Sequence, residues 1–278
     1  MSRVLLEPPA RLPVSLVEAR AHQRISAGLD DDELTRLIRE ATATIQTEIG
    51  LQLVAAKWRV GREEFPLEQW TLRPWPLLSI DSIAYVDGNG DSQTLSSSRY
   101  IADTYETPGN VSPAYGYSWP AVREQPNAAT ADIYCGCAVP VTSTDASANA
   151  FGVGVYVPAN ATPVWLSTDG TLPEGLSADT TYYIVGRDAS AKTIQLAATS
   201  GGAAIDFTDQ GSGQHWLRLA HPDVWDLARR AILLLCDHWW EHRGDQVEST
   251  PLREITYGVQ RLLNKLHPGD DFVRDEDE

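Results

Sequence analysis

Pro222–Arg243, PDVWDLARRAILLLCDHWWEHR, decides the fold because it admits two incompatible readings. As a motif, His238-Trp239-Trp240-Glu241-His242 spells H-x-x-E-H, the zinc-protease signature in inverted order. As a period, it is a long amphipathic helix. Val224, Leu227, Ala228, Ala231, Leu235 and Trp239 recur on one side; Asp226, Arg229, Arg230, Asp237 and Glu241 fall on the other. At about 100° per residue, Trp240 projects close to the charged face, where an aromatic is a candidate subunit contact.

The zinc reading needs two neutral imidazoles, a third ligand and a Glu that activates water. His238 and His242 are one turn apart, so the spacing suits. The surroundings do not. Glu248 and Glu254 are the only nearby carboxylates of the right kind, and little chain remains after His242 to build a substrate-binding region. The helical reading wins, the zinc peptidase stays as its rival, and no catalytic residue, metal or cofactor is expected. No G-x-S-x-G elbow, phosphate-cradling loop or dinucleotide fingerprint occurs elsewhere in the sequence.

Outward from that helix, 278 residues suffice for one large or two ordinary domains, and 42% hydrophobic residues point to a folded chain. No run approaches the roughly 20 apolar residues of a membrane-spanning helix, so no membrane partner is expected. Glu7, Pro8 and Pro9 break the first apolar run, which predicts a chain without a secretion signal that stays in the cytoplasm. The net charge of −16 leaves no overall basic surface for gripping phosphates, which argues against tight nucleic-acid binding. An acidic wall that DNA slides past fits that charge. Cys135, Cys137 and Cys236 make neither a disulfide framework nor a four-ligand zinc site. On one strand Cys135 and Cys137 would share a face as reduced, half-buried thiols.

Ser15-Leu16-Val17-Glu18 is a capping box opening a first helix. Asp30-Asp31-Asp32-Glu33 opens a second, with Leu34, Leu37, Ile38, Ala41, Ile45 and Ile49 on one stripe and Gly50 as its end. An αα-hairpin over 15–50 follows. From 54 to 138 the period shortens to strands around Trp58, Val60, Phe65 and Ile80–Val86, with a turn at Asp87–Asp91 and a strand at Ala129–Cys135. Asp87-Gly88-Asn89-Gly90-Asp91 also begins like a calcium loop, but Ser98 stands where the bidentate Glu belongs. Residues 139–216 change composition, rich in Ala, Thr, Ser and Gly with Arg187 and Lys192 as the only cations before Gln214. Val153–Val157, Thr162–Leu166, Thr181–Val185 and Thr193–Leu196 read as strands of an inserted all-β module, sandwich- or barrel-like. The expected class is α+β. A helical core has a first part at 1–138 and a second at 217–278, with helices at 222–243 and 252–267 and an acidic tail.

Several pieces in this order resemble the head–tail connector (adaptor, head completion) family of long-tailed double-stranded-DNA phages and gene-transfer particles. They are Pro13–Ala19, Ile49-Gly50, Trp58, Phe65-Pro66, Leu72-Arg73-Pro74, Pro76-Leu77 and Ile83–Asp87. Tyr100, Pro108-Gly109, Pro113–Gly116, Trp119-Pro120, Asn127, Ala231–Leu235, His238–Glu241, Arg243 and Tyr257-Gly258-Val259 complete them. The insert departs from the family's short linker and resembles β modules of phage virion proteins through Leu172–Leu176, Thr181–Val185 and Gly201–Thr208. The resemblance implies a virion protein of the head–tail neck, assembled in the host cytoplasm. It would form a ring, expected to hold twelve copies, docked beneath the portal protein. The ring would extend the channel through which double-stranded DNA passes and meet a stopper or tail-terminator protein. It also implies that Trp240, Ile255, Tyr257 and Leu262 serve subunit or portal contacts. A further rival is an accessory protein binding host glycan through Trp165, Tyr182 and Tyr183 of the insert.

Overall fold

The computed structural model describes residues 2–26, 28, 30–178, 180–219, 222–241 and 257–266. The fold is mixed α and β. In chain order run β1 (Ser2–Glu7), α1 (Leu16–Gln23), α2 (Asp31–Ile49), β2 (Ala56–Arg62), β3 (Trp70–Thr71), β4 (Leu77–Val86) and β5 (Ser92–Leu95). Then follow β6 (Tyr100–Asp103), β7 (Asn110–Pro113), β8 (Ala129–Cys135), β9 (Ala138–Asp145), β10 (Ala150–Val153), β11 (Pro163–Thr168) and β12 (Thr181–Asp188). The last are β13 (Thr193–Ala197), β14 (His215–Arg218), α3 (Pro222–Glu241) and α4 (Tyr257–Leu266).

Three apolar cores hold these elements. In the helical core, Leu34, Ile38, Ala41 and Ile45 of α2 meet Trp225, Ala228, Ile232 and Leu235 of α3 and Val259, Leu263 and Leu266 of α4. Ser15 Oγ accepts from the Glu18 N–H at 3.0 Å and caps α1. The other half of the expected capping box is absent, because the Glu18 carboxylate turns to Arg229 on α3. Gly50, at φ 65°, ends α2 in the left-handed turn that a Cβ would strain.

The second core lies between two antiparallel sheets. One has the order β1-β2-β8-β4-β5 and the other β3-β7-β6. Val60, Ala131, Ile133 and Ile83 of the larger sheet face Trp70 and Val111 of the smaller, with Phe65 stacked on Trp119 at 4.7 Å. The calcium-like Asp87 closes the β4–β5 turn instead: its carboxylate accepts from the Asn89 and Asp91 N–H groups at 2.9 and 3.1 Å. These bonds hold its pKa below the usual carboxylate range, the Gln93 amide contributing most.

The third core fills a closed barrel with the order β10-β13-β12-β11-β14-β9. Val139, Phe151, Val164, Leu166, Ile184, Ile194, Leu196 and Leu217 point inward, and Phe151 stacks on Phe207 at 5.0 Å. Of the strand expected at Val153–Val157, only Val153 belongs to one. Closure comes from β9 and β14, whose register pairs Leu217 with Val139.

Cys135 and Cys137 do not share a face as expected. The strand ends at Cys135, which belongs to the inter-sheet core, while Cys137 belongs to the helical core. All three thiols are buried rather than half-buried, and burial pushes Cys236 up to about 12. Gly136 makes the crossing between the cores at φ 153°, where a Cβ would lie 2.6 Å from the backbone N and Cα of Ala55. Gly136→Ala is therefore expected to cost about 2–3 kcal/mol, as overpacking against rigid backbone does, measured by urea denaturation.

His215 is buried in the barrel wall with Nδ1 2.8 Å from Thr168 Oγ1, and burial pushes its pKa down. The unfolded chain therefore binds this proton more readily than the native one. The resulting stability is complete above about pH 6.5, the unfolded value, and declines as pH falls through the lower folded value. His215→Gln is expected to flatten that part of the dependence of the urea midpoint on pH.

Candidate assembly surfaces

Arg229, expected on the polar face of α3, lies instead at the joint between barrel and helices. Its Nε donates to the Pro13 carbonyl at 3.0 Å, and its guanidinium pairs with Glu18 of α1. The same plane lies over Trp216 of β14 at 5.3 Å and Trp225 of α3 at 5.4 Å. Strand alternation explains how Trp216 gets there: Leu217 points into the barrel, so its neighbour points out, into the helical core. Trp225 is also fully buried, although it lies outside the expected stripe. The stripe is wider than expected because α3 packs against α1, α2 and α4 as well as Trp216. Next to this joint Arg218 pairs with Asp226 at 3.1 Å.

Arg229→Met should keep the length of the side chain yet strand the Glu18 carboxylate. The expected loss is about 2 kcal/mol, between an exposed pair and a fully buried one. Arg229→Lys should recover the charge but not the planar stacking. A urea double-mutant cycle with Glu18→Gln would measure the coupling.

The expected contact residues fall differently. Trp240 is partly buried against the helical core rather than projecting from the charged face. Leu262 of α4 is also partly buried there, so these two border the same cluster. Tyr257 is the first residue of α4, and Ile255 lies outside the described residues, as does the acidic tail. Of the zinc motif, His238 is partly buried near the end of α3, whereas His242, Glu248 and Glu254 lie outside the described residues. Among the described residues no three His, Cys, Asp or Glu side chains group as metal ligands. Tyr182, proposed for glycan stacking, faces the barrel core, and its hydroxyl accepts from the Ser177 N–H at 2.8 Å. Trp165 and Tyr183 are partly exposed.

Two exposed apolar surfaces escaped the sequence reading. Leu67, Tyr105 and Tyr115 are almost fully exposed, and Ile101 and Tyr117 more than half. All five belong to the smaller sheet and the loops around it. The other surface is β1, where Val4, Leu5 and Leu6 are exposed. Exposed aromatics of this kind are typical anchors of protein interfaces.

No protein-family model and no curated protein matches this chain. Solved structures do. A chain in the virion of a native gene transfer agent (GTA) particle shares the fold with a TM-score of 0.54 at 13% identity, over 97% of this chain and 96% of that one. A chain in the neck of an empty GTA particle, computed with C6 symmetry, gives a TM-score of 0.50 at 14% identity, over 97% and 96%. At such identities the likeness is one of fold.

Proposed function

We propose that this chain is a head–tail connector of a phage or gene-transfer particle. Copies close into a ring beneath the portal, extend the DNA channel and offer a surface to the next neck or tail protein. The observation that carries this reading is the end-to-end likeness to chains of a GTA virion and of a GTA neck computed with C6 symmetry. A neck computed with cyclic symmetry supports symmetric copies here. The ordered pieces of sequence that resemble connectors support the finer assignment, and twelve copies remain the expected number.

The chemistry of this role is assembly rather than catalysis. Its excess of carboxylates suits a channel that repels the DNA backbone. Residues 139–216, essentially the barrel, act as a module set into the connector core. Trp240 and Leu262, at the border of the helical core, contribute to subunit or portal contacts together with Ile255 and Tyr257. The portal-facing part is α4 with the acidic tail.

Two-dimensional class averages of the purified full chain, or of isolated necks, should display a closed ring. Leu262→Asp should leave the circular dichroism of the monomer unchanged and yield heads without tails. Wild-type numbers of tailed particles would reject the contact, and averages without cyclic symmetry would reject the ring.

A further inference from the structure

Among the described residues, β1 is an open edge. It pairs with β2 on one side only, and Val4, Leu5 and Leu6 are 58%, 40% and 37% exposed. The register sets Leu5 opposite Trp58 and Arg3 opposite Val60, on the face of the inter-sheet core. Val4 lies opposite Arg59 on the other face. Apolar side chains thus stand exposed on both faces of an edge whose outward N–H and C=O groups have no strand partner among the described residues. Natural sheets blunt such edges with charge, proline or a bulge. Here the bulge falls between Leu5 and Glu7, and the prolines come after it, so Arg3–Leu5 stays regular.

Among the described residues, the same sheet ends in a second open edge. In β5, Ser92, Gln93 and Thr94 are exposed and uncharged, and Leu95 pairs with Ile83 on the core face. Tracing the register through β4, β8 and β2 leads from Leu95 to Arg3, so Leu5 lies on the same core-side face, two residues along β1 from the row of Leu95.

We propose that β1 of one copy pairs with β5 of the next, joining the five-stranded sheets edge to edge around the ring. This rests on the ring reading above. A cyclic ring needs a contact between two different surfaces of the same chain. One β1–β5 contact satisfies both edges in every copy, whereas a foreign peptide on β1 would leave β5 open. Directions alternate across the sheet, so β1 and β5 run the same way, and copies related by rotation meet as a parallel pair. Leu5 of one copy then lies on the same core-side face as Leu95 of its neighbour.

Val4 and Thr94 lie on the outer face of the sheet, both exposed, and the native thiols are buried. The full chain carrying V4C and T94C, treated with a short bismaleimide, is expected to give a ladder of multimers on a denaturing gel. Either single variant should give none. A dimer from V4C alone means that β1 meets β1, which overturns the proposal. A ring in class averages without a ladder overturns the edge pairing and leaves the ring reading standing; neither ring nor ladder overturns both. L5K should raise the concentration of half-assembly about tenfold or more, as loss of an interface anchor does, with the melting of the monomer unchanged. Assembly at the wild-type concentration would overturn the proposal.

Discussion

The guanidinium of Arg229 lies where the barrel, α1, α3 and the segment before α1 converge. Few side chains other than Arg could serve all these neighbours at once. Its planar cation offers aromatic contact to Trp216 and Trp225 while its edge donates to Glu18 and to the Pro13 carbonyl. Trp216 comes from the wall of the barrel and Trp225 from the first turns of α3, so the contact ties a β module to a helical one. The Glu18 carboxylate leaves its own capping box half made in order to complete that joint.

A second tie runs through the backbone. The chain enters the barrel at Ala138, whose N–H donates to Leu53 O at 3.1 Å and whose carbonyl accepts from Ala55 N at 2.8 Å. It leaves at Leu219, whose N–H donates to Cys137 O at 2.9 Å. Entry and exit are therefore bonded to one another and to the segment that leads into β2. A module held at both ends and braced by Trp216 has little freedom to swing. In a symmetric assembly each copy would hold its barrel at the same angle, as a rigid display requires.

The helical hairpin was legible because its signals are local: an N-cap, an acidic first turn, a 3.6-residue period and Gly50. Ala129–Cys135 was legible for the same reason, as a short run of alternating residues. What could not be read was set by partners far along the chain. The barrel closes through β9 and β14, which meet across some seventy residues of sequence, and neither announces its partner. Arg229 looked like a surface cation because Trp216 and Glu18, which enclose it together with Trp225 of its own helix, come from two other stretches. Cys135 and Cys137 looked like neighbours on one face because nothing local reveals that Gly136 carries the chain from one core to another. Of the candidate contact residues, Leu262 falls among the apolar positions of α4 and is partly buried against the helical core. Trp240 packed more closely than 100° steps suggested, because α4 and α2 widen the apolar surroundings of α3. β1 was read only for what it is not, a secretion signal, although V-L-L between Arg3 and Glu7 is also a short strand.

Charge decides which surfaces can bring copies together. At −16 two copies would repel one another, and several of the cations are committed within the chain. Lys57 pairs with Asp81, Arg59 with Asp132, Arg20 with Asp31 and Arg229 with Glu18. Repulsion between exposed charges is screened over about 8 Å at physiological salt, so it acts most on surfaces brought into contact. Close approach is therefore cheapest where the surface is apolar or neutral and backbone groups still lack partners. The open edges β1 and β5 meet that condition, and the tyrosines around the smaller sheet meet its first half. Copies brought together through such surfaces would leave their carboxylates turned towards solvent, where like charge costs least.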